Sequence, residues 1–190
     1  MDRRRSKGTA SDTGERLLAA AMAEFAERGF AGTDSNRIAR RAGFAPQTFY
    51  RWYRDKSAIF IAVYQDWAES ERRQLAPLIA EGAPAATLAR TLVAHHRAHR
   101  LFRRSLRLLA LENDEVRRAR ADSRHRQIET LQALAPGTTR EKATLALLTI
   151  ERLADAIAEE EFADLGLADD AALTAIADVL APLLPRRETR

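Results

Sequence analysis

The sequence predicts an all-α fold of about nine helices, with a small N-terminal helical domain joined to a larger helical body. Apolar residues recur at spacings of three and four along almost the whole chain, and alternating or β-branched runs are scarce. Helix-capping residues precede many of the apolar stretches, and Gly or Pro follows them. These two patterns are typical of a purely helical protein.

Each predicted helix is placed by its cap, its apolar face and its stop signal. In chain order they run from Asp12 or Thr13 to Gly29, from Asp34 to Gly43, onward from Pro46, from Asp55 to a kink or end at Pro77, onward from Pro84, from Phe102 to Leu111, from Asn113 or Asp114 to Leu134, from Thr138 to Phe162 and from Asp169 to Leu183. We therefore divide the chain into a flexible basic arm (1–11), a three-helix domain (12–56), a helical body (57–185) and a tail (186–190).

The composition narrows the class of protein. A chain of 190 residues without cysteine has no disulfides, thiolate metal sites or thiol chemistry. Its apolar runs are far shorter than the roughly 20 residues that a membrane helix needs. The basic N-terminus has no apolar segment behind it, so it does not resemble a secretory signal. We expect a cytoplasmic protein.

Charge is unevenly distributed. Residues 1–56 carry 12 Lys and Arg against 7 Asp and Glu, whereas residues 127–185 carry 3 against 11. The basic part favours a polyanion such as nucleic acid, and the acidic part would be repelled by one. The alternative is that these charges only solvate helix faces. Arg3, Arg4, Arg5 and Lys7 are expected either to reach a DNA minor groove or to form a disordered tail.

Residues 33–56 predict a helix-turn-helix. Ile38 and Ala39 face inward on its first helix, Gly43 makes the turn, and Pro46 suits the first position of the second helix. Polar and aromatic side chains remain for the outer face of the second, recognition helix. We expect contacts to DNA from Thr33, Arg37, Pro46, Gln47, Thr48, Tyr50, Arg51, Trp52 and Lys56.

The residue types indicate how each contact would work. Gln47 can read adenine, and Arg51 can read guanine or bind phosphate. The hydroxyls of Thr48 and Tyr50 suit phosphate oxygens. Thr33 and Lys56, at the two ends of the motif, are expected as phosphate clamps.

This segment resembles the TetR family of bacterial transcriptional regulators. Eight residues match the family pattern in register: Thr33, Ile38, Ala39, Ala42, Gly43, Thr48, Tyr50 and Lys56. Two positions depart from it. Ala45 replaces the Ser that caps the recognition helix, a loss of about 1 kcal/mol, and Gln47 replaces a Gly. The DNA sequence that is bound therefore cannot be transferred from relatives.

The resemblance implies a mechanism. Members are homodimers whose two recognition helices enter successive major grooves of a palindromic operator, about 34–36 Å apart. A small effector bound in the body shifts the fourth helix and releases the DNA. The eighth and ninth helices would form the dimer interface. We expect that interface to include Leu147, Ile150, Ala154, Ile157, Ile176 and Leu180, and the alternative is that these residues form only an intramolecular core.

The body offers weaker signals. An apolar effector pocket beside the fourth helix is expected from Phe60, Tyr64, Trp67, His96, His99, Phe102 and Leu106, with plain core packing as the alternative. His95 and His99 lie one helical turn apart, but the surrounding residues do not favour a metal site, and we expect none. Ten arginines between Arg97 and Arg126 are interpreted mainly as solvated, and otherwise as a pocket for an acidic ligand.

No arrangement of residues indicates catalysis. The chain shows no Ser, His and Asp order, no Gly-rich phosphate loop and no suitable carboxylate pair. We expect a regulator with no enzymatic activity and no cofactor, whose partners are operator DNA, a second copy of itself and a small-molecule effector. The competing hypothesis is a helical ligand-binding or interaction protein that does not use its DNA-binding domain.

Overall fold

The computed structural model describes residues 10–185. Every regular element in that range is helical, which confirms the all-α prediction. Of the predicted arm (1–11), residues 1–9 lie outside the described residues, as does the tail 186–190, and α1 already begins at Ala10. The helices are α1 (Ala10–Arg28), α2 (Ser35–Arg41), α3 (Pro46–Tyr50), α4 (Lys56–Ala80), α5 (Ala85–Ala98), α6 (Arg100–Glu112), α7 (Asp114–Leu134), α8 (Arg140–Ala158), α9 (Glu161–Asp164), α10 (Asp170–Leu180) and a 3₁₀ helix (Ala181–Leu183).

Capping side chains start several of these helices. Asp34, Asp55 and Asn113 each accept backbone N–H bonds from the first turn of α2, α4 and α7, at 2.8–3.1 Å. These bonds satisfy donors that a helix start otherwise leaves open. Asp169 was predicted to cap the last helix. Its side chain does not cap α10 and instead binds Arg97 at 2.9 Å.

The eighth helix departs most from its prediction. Its cap is Thr139 rather than Thr138, and the Thr139 hydroxyl accepts a backbone N–H bond at 3.3 Å. The helix ends at Ala158 instead of continuing to Phe162. Glu160 adopts a left-handed φ of 65°, which interrupts an α-helix and starts the separate, four-residue α9.

Pro77 does not end α4, which continues to Ala80. Proline removes one N–H from the helix and its ring crowds the carbonyl four residues earlier, but its own carbonyl can still accept a hydrogen bond. The carbonyl of Pro77 still accepts the N–H of Glu81 at 2.9 Å.

The chain divides into two compact units, Met1–Tyr64 and Gln65–Arg190. In the first unit, α1, α2, α3 and the start of α4 share one core. The ring of Phe25 lies 5.0 Å from that of Phe60 and 6.0 Å from that of Phe30. Ile38 and Phe49 are buried in the same unit, so both helices of the predicted motif pack through their apolar faces.

In the second unit, α5, α8 and α10 form the main core. Ile150, Ala154 and Ile157 of α8 pack with Ile176 and Leu180 of α10 against α5. Leu147 packs separately against α7. The residues predicted for a dimer interface are therefore buried against other helices of the same chain, and their role in a dimer stays a prediction.

Among residues 10–185, no helix is long and apolar enough to span a membrane. Within the same residues, no group of three or more His, Asp or Glu side chains is arranged to hold a metal ion.

Candidate functional site

The turn between α2 and α3 is fixed from α1. Gly43 has a φ of 78°, which side chains other than glycine rarely tolerate. The guanidinium of Arg16 donates to the carbonyl of Ala42 at 2.8 Å and lies 4.5 Å above the ring of Phe44. These contacts set the direction in which α3 leaves the turn.

The recognition helix α3 is short, and Pro46 is its first residue. Ala45, the residue before the helix, is in an extended conformation. It makes no side-chain cap hydrogen bond, as expected where alanine replaces the capping serine. Phe49 is buried, whereas Gln47 and Tyr50 are exposed. The inward side of α3 is therefore apolar and its outward side carries groups able to contact DNA.

Arg51 and Trp52 follow the end of α3 rather than lying within it. Arg51 is exposed, and Thr48 is partly exposed. Trp52 is 41% exposed, and one edge of its indole lies over α1. A Cβ placed at Gly14 would lie 2.9 Å from Cζ3 of Trp52, so the absence of a side chain at Gly14 makes room for this ring.

Tyr50 is joined to the start of α2. Its hydroxyl lies 2.7 Å from Oγ of Ser35, close enough for a hydrogen bond in which either group donates. The bond is exposed, so a phosphate oxygen at this position would meet two hydroxyls rather than one.

Thr33 and Lys56 point into the domain. The Thr33 hydroxyl donates to the carbonyl of Glu24 at 3.4 Å. The Lys56 ammonium donates to the carbonyls of Phe30 and Thr33, each at 2.8 Å, and lies 3.9 Å above the Phe30 ring. Burial lowers the pKa of Lys56. Two of the three N–H donors of Lys56 and the hydroxyl of Thr33 are therefore engaged within the domain.

Two of the three cations of α2 are paired with acids of α1. Arg41 binds Glu24 at 3.0 Å and also binds Glu27. The hydrogen bond to Glu27, followed by that to Glu24, raises the pKa of Arg41. Arg37 lies 3.8 Å from Glu24 and remains partly exposed. The predicted contact residue Arg37 is thus held at the surface by an internal carboxylate.

The second unit contains a cavity of about 920 Å³. Its walls come from α4, α5, α7, α8, α10 and the 3₁₀ helix, and are mostly apolar. Ligand sites of drug-sized molecules span roughly 300–1,000 Å³. The volume and the lining therefore suit a small organic molecule. Its apolar lining residues include Leu75, Ile79, Leu88, Leu92, Leu131, Leu134, Leu147, Ile150, Leu180, Leu183 and Leu184.

The residues predicted for an effector pocket are placed elsewhere. Phe60 and Tyr64 are buried in the first unit. Trp67, Phe102 and Leu106 are buried in the second unit and do not line the cavity. His96 is buried and His99 is partly buried, and neither lines the cavity. In this structure these side chains are packed away from the cavity, and α7 supplies one of its walls, which includes Arg126 of the arginine-rich segment.

A buried ion cluster lies next to the cavity. Arg103 binds Asp155 through Nε and Nη2, each at 3.0 Å. Arg107 lies 2.7 Å from Asp155 and also binds Glu159 at 2.5 Å. Hydrogen bonds from His96 and Arg103 hold the pKa of Asp155 far below its usual range despite burial. Two arginines predicted as solvated are therefore internal.

His96 joins this cluster to α4. Its Nδ1 lies 2.8 Å from Asp155, and its Nε2 lies 3.1 Å from Glu71. Both ring nitrogens face carboxylate oxygens, and only the protonated ring can donate to both. Burial and Arg103 oppose the charge, but the bonds to Asp155 and Glu71 outweigh them and raise the pKa of His96.

A second buried acid pairs with α7. Glu151 of α8 accepts from Arg124 at 2.5 Å and lies 3.4 Å from Arg120. Arg124 and its neighbours hold the pKa of Glu151 below its usual range, although burial raises it.

One signal of these clusters is present in the sequence. Arg103 and Arg107 are four residues apart, as are Asp155 and Glu159, so each pair shares one helix face.

Comparison with known proteins agrees with this fold and site. Residues 17–63 match the family described as bacterial regulatory proteins, tetR family. The uncharacterized HTH-type regulator YdgC of Bacillus subtilis (strain 168) is 36% identical over 77 residues, which are 40% of this chain and 38% of that protein. The chain thus spans about two fifths of the length of the curated relative it matches.

Two solved structures share the fold over nearly the whole chain. A protein assigned to the TetR family of regulators from Rhodococcus sp. superposes with a TM-score of 0.70 at 18% identity, covering 92% of this chain and 99% of that one. The fatty acid degradation regulator FadR from Bacillus halodurans superposes with a TM-score of 0.62 at 18% identity, covering 98% and 100%. The fold and the N-terminal motif define a helix-turn-helix regulator. Within it, residues 17–63 form a DNA-binding domain of the TetR family of bacterial regulatory proteins.

Proposed function

We propose that this protein is a cytoplasmic repressor that binds a palindromic operator as a homodimer and leaves it when a small effector occupies the body cavity. One observation supports the DNA-binding part most directly. On α3, Phe49 is buried in the domain core while Gln47 and Tyr50 remain exposed. A recognition helix needs this division between an anchored and a reading side.

The residues on the exposed side of α3 and just beyond it have different proposed roles. Gln47 offers a bidentate amide to adenine, and Arg51 offers its guanidinium to guanine or phosphate. Thr48, together with the paired hydroxyls of Tyr50 and Ser35, suits phosphate oxygens. Pro46 allows the start of α3 to approach the DNA, and Trp52 flanks it. Thr33 and Lys56 contribute by holding the motif in shape.

DNA binding is tested by a gel-shift against the intergenic DNA beside the gene for this protein. The wild-type protein should shift a palindromic fragment, and Arg51→Ala should weaken the shift at least about tenfold. Arg90→Ala, a change at an exposed arginine of α5 in the second unit, is the matched control and should leave the shift unchanged. Failure to bind any of several palindromes would favour a ligand-binding protein that does not use its DNA-binding domain.

The homodimer requires a surface that the core leaves open. Leu145 and Leu148 are exposed and three residues apart on α8, so they share one outward face of a helix that also supplies core residues. We propose this face as part of the contact between two copies. A palindromic operator presents two equivalent half-sites, which a two-fold symmetric dimer matches.

The dimer is tested by the double change Leu145→Glu and Leu148→Glu, with the molecular mass in solution measured by sedimentation equilibrium. Two new charges on each side of a symmetric apolar contact should give a monomer. Leu108→Glu and Leu111→Glu form the matched control, because these two leucines are also exposed and three apart, on α6. A dimer that persists only in the control variant supports the proposed face, and equal masses for both variants would contradict it.

A further inference from the structure

The cavity in the second unit has one deeply placed charge. Among residues 10–185, five charged side chains line it: Glu69, Glu71, Arg72, Glu81 and Arg126. Glu71 is 12% exposed, compared with 42% for Glu69 and 61% for Arg72. Glu81 and Arg126 are also exposed. The least exposed of these five charged side chains is therefore a carboxylate, which is paired on one side with the buried His96.

The outer charges largely neutralise each other. Arg72 donates to both carboxylate oxygens of Glu69, at 2.8 and 2.6 Å. An exposed cation such as Arg126 is well solvated and gives a ligand little net attraction. Glu71 is less accessible to water, so its interaction with an opposite charge is screened less.

Glu71 has acceptor capacity left for a ligand. Its Oε2 accepts from Nε2 of His96 at 3.1 Å. An ionised carboxylate has about four lone-pair sites, so this bond occupies only part of it. The bond also fixes the side chain, because His96 is held from its other side by Asp155 at 2.8 Å. A ligand would therefore meet an acceptor that is already oriented.

Other acceptors line the same cavity from α7. The amide oxygen Oε1 of Gln127 is buried and has no hydrogen-bond partner within the part of the chain that the structure describes. Ser123, one helical turn earlier and buried, adds a hydroxyl to the lining. A buried acceptor without a hydrogen bond costs free energy. A ligand that donates an N–H bond to Gln127 would remove that cost.

We propose that the cavity binds amphipathic amines, with the ammonium group at Glu71, a further N–H bond to Gln127, and the apolar part against the leucines of the walls. The proposal rests on the proposed function, in which this cavity is the effector site. A primary ammonium brings three donors and a positive charge to a site that offers acceptors and a negative charge. A carboxylic acid of the same shape would meet Glu71 as a like charge.

The test compares three ligands that share one apolar chain: decylamine, decanol and decanoate. Binding to the full-length protein is measured by isothermal titration calorimetry below the concentration at which the ligands aggregate. Decylamine should bind at least about tenfold more tightly than decanol, and decanoate should bind more weakly than decanol. Decanoate binding as tightly as decylamine, or no difference between decylamine and decanol, would overturn the proposal.

The variant Glu71→Gln locates the ammonium. A glutamine oxygen can still accept from His96, so the fold should be kept, which thermal unfolding checks. The variant should lower decylamine affinity about tenfold and leave decanol affinity within about twofold. Glu69→Gln is the matched control, since it removes an exposed carboxylate of the same cavity, and it should leave decylamine affinity unchanged. Equal losses in the two variants would contradict the assignment to Glu71.

Gel-shift assays separate this proposal from the proposed function. If the protein binds its operator but decanoate binds the cavity best and releases it, the amine proposal is wrong and the regulator proposal stands. If decylamine binds as expected through Glu71 but no DNA is bound, the amine site stands and the regulator proposal is wrong.

Discussion

Arg103 and Asp155 form a two-bonded ion pair in which each side chain is only 2% exposed. The two hydrogen bonds, from Nε and Nη2 to the two carboxylate oxygens, are both 3.0 Å long. The guanidinium also lies 4.6 Å above the ring of Trp67. The pair links α6 to α8 across 52 residues of sequence, and its geometry makes the body depend on both partners.

Removal of one partner of this pair should be severe. Asp155→Ala leaves Arg103 buried without its carboxylate, and we expect a loss of about 3–5 kcal/mol in the free energy of unfolding. The measurement is chemical denaturation followed by circular dichroism. The control is Glu161→Ala, which removes the exposed ion pair with Arg152 and should cost less than about 1 kcal/mol. Similar losses of unfolding free energy in both variants would show that the buried pair stabilises the fold no more than the exposed pair does.

The charge on His96 should make stability depend on pH. Its pKa is raised in the folded protein, so the folded state holds the proton more tightly than the unfolded chain. The stabilisation is fully present below the unfolded pKa of about 6.5 and is lost as pH rises through the folded pKa. Thermal unfolding should therefore show a midpoint that falls as the pH is raised above about 6.5.

His96→Gln should flatten that dependence. His95→Gln is the control, because burial lowers the pKa of His95 and its effect on stability has the opposite sign, acting below about pH 6.5. A midpoint in His96→Gln that falls with pH as steeply as in the wild type would contradict the protonated, doubly donating ring.

Lys56 should act on stability rather than mainly on phosphate binding. Lys56→Met keeps most of the aliphatic chain but removes the bonds to the carbonyls of Phe30 and Thr33. We expect a loss of about 1–3 kcal/mol in the free energy of unfolding, measured by denaturation. Unchanged stability together with a lower affinity for DNA would restore the phosphate clamp that the motif suggested.

The contact between Gly14 and Trp52 should be visible in fluorescence. Gly14→Ala favours helix α1 by up to about 1 kcal/mol, but the new Cβ would lie 2.9 Å from the indole and push the ring outward. In a Trp67→Phe background, where Trp52 is the remaining tryptophan, its emission should shift to longer wavelength. Glu15→Ala, at the neighbouring exposed position, should leave the emission unchanged.

Gln47 should govern which DNA is bound. Gln47→Ala should change the order of preference among operator variants, because this side chain is the exposed amide of α3. Tyr50→Ala should weaken binding to all of them by similar factors, because a phosphate contact carries no base information. Competition gel-shifts over a set of single-base variants measure both. Equal losses across all sequences for Gln47→Ala would place this residue on the DNA backbone instead.

Local signals predicted much of the fold. Asp34, Asp55 and Asn113 were recognisable as caps because a cap acts on backbone groups within three residues of itself. The break at Glu160 was not, because a glutamate in a left-handed conformation has no marker in the sequence. Pro77 lacks a backbone N–H, which predicted a kink or an end, yet α4 continues to Ala80.

The site was predicted less evenly. The helix-turn-helix is a local motif, and its buried and exposed sides follow from the helical period. The inward turn of Lys56 depends on carbonyl groups more than twenty residues away, which no spacing reveals. The buried arginines were missed for the same reason. Their acids lie 27 to 52 residues further along the chain, so the arginines looked unpaired in the sequence.

The pairing of α6 and α7 with α8 also constrains how the body is made. Arg103, Arg107, Arg120 and Arg124 are all synthesised before the acids of α8 that neutralise them. Until α8 docks, these cations must stay in water, and the surfaces around them cannot close. Folding of the body therefore waits for its C-terminal part. A fragment that stops before Arg140 would expose a cationic, partly apolar surface, and it should bind polyanions or aggregate rather than form half of a body.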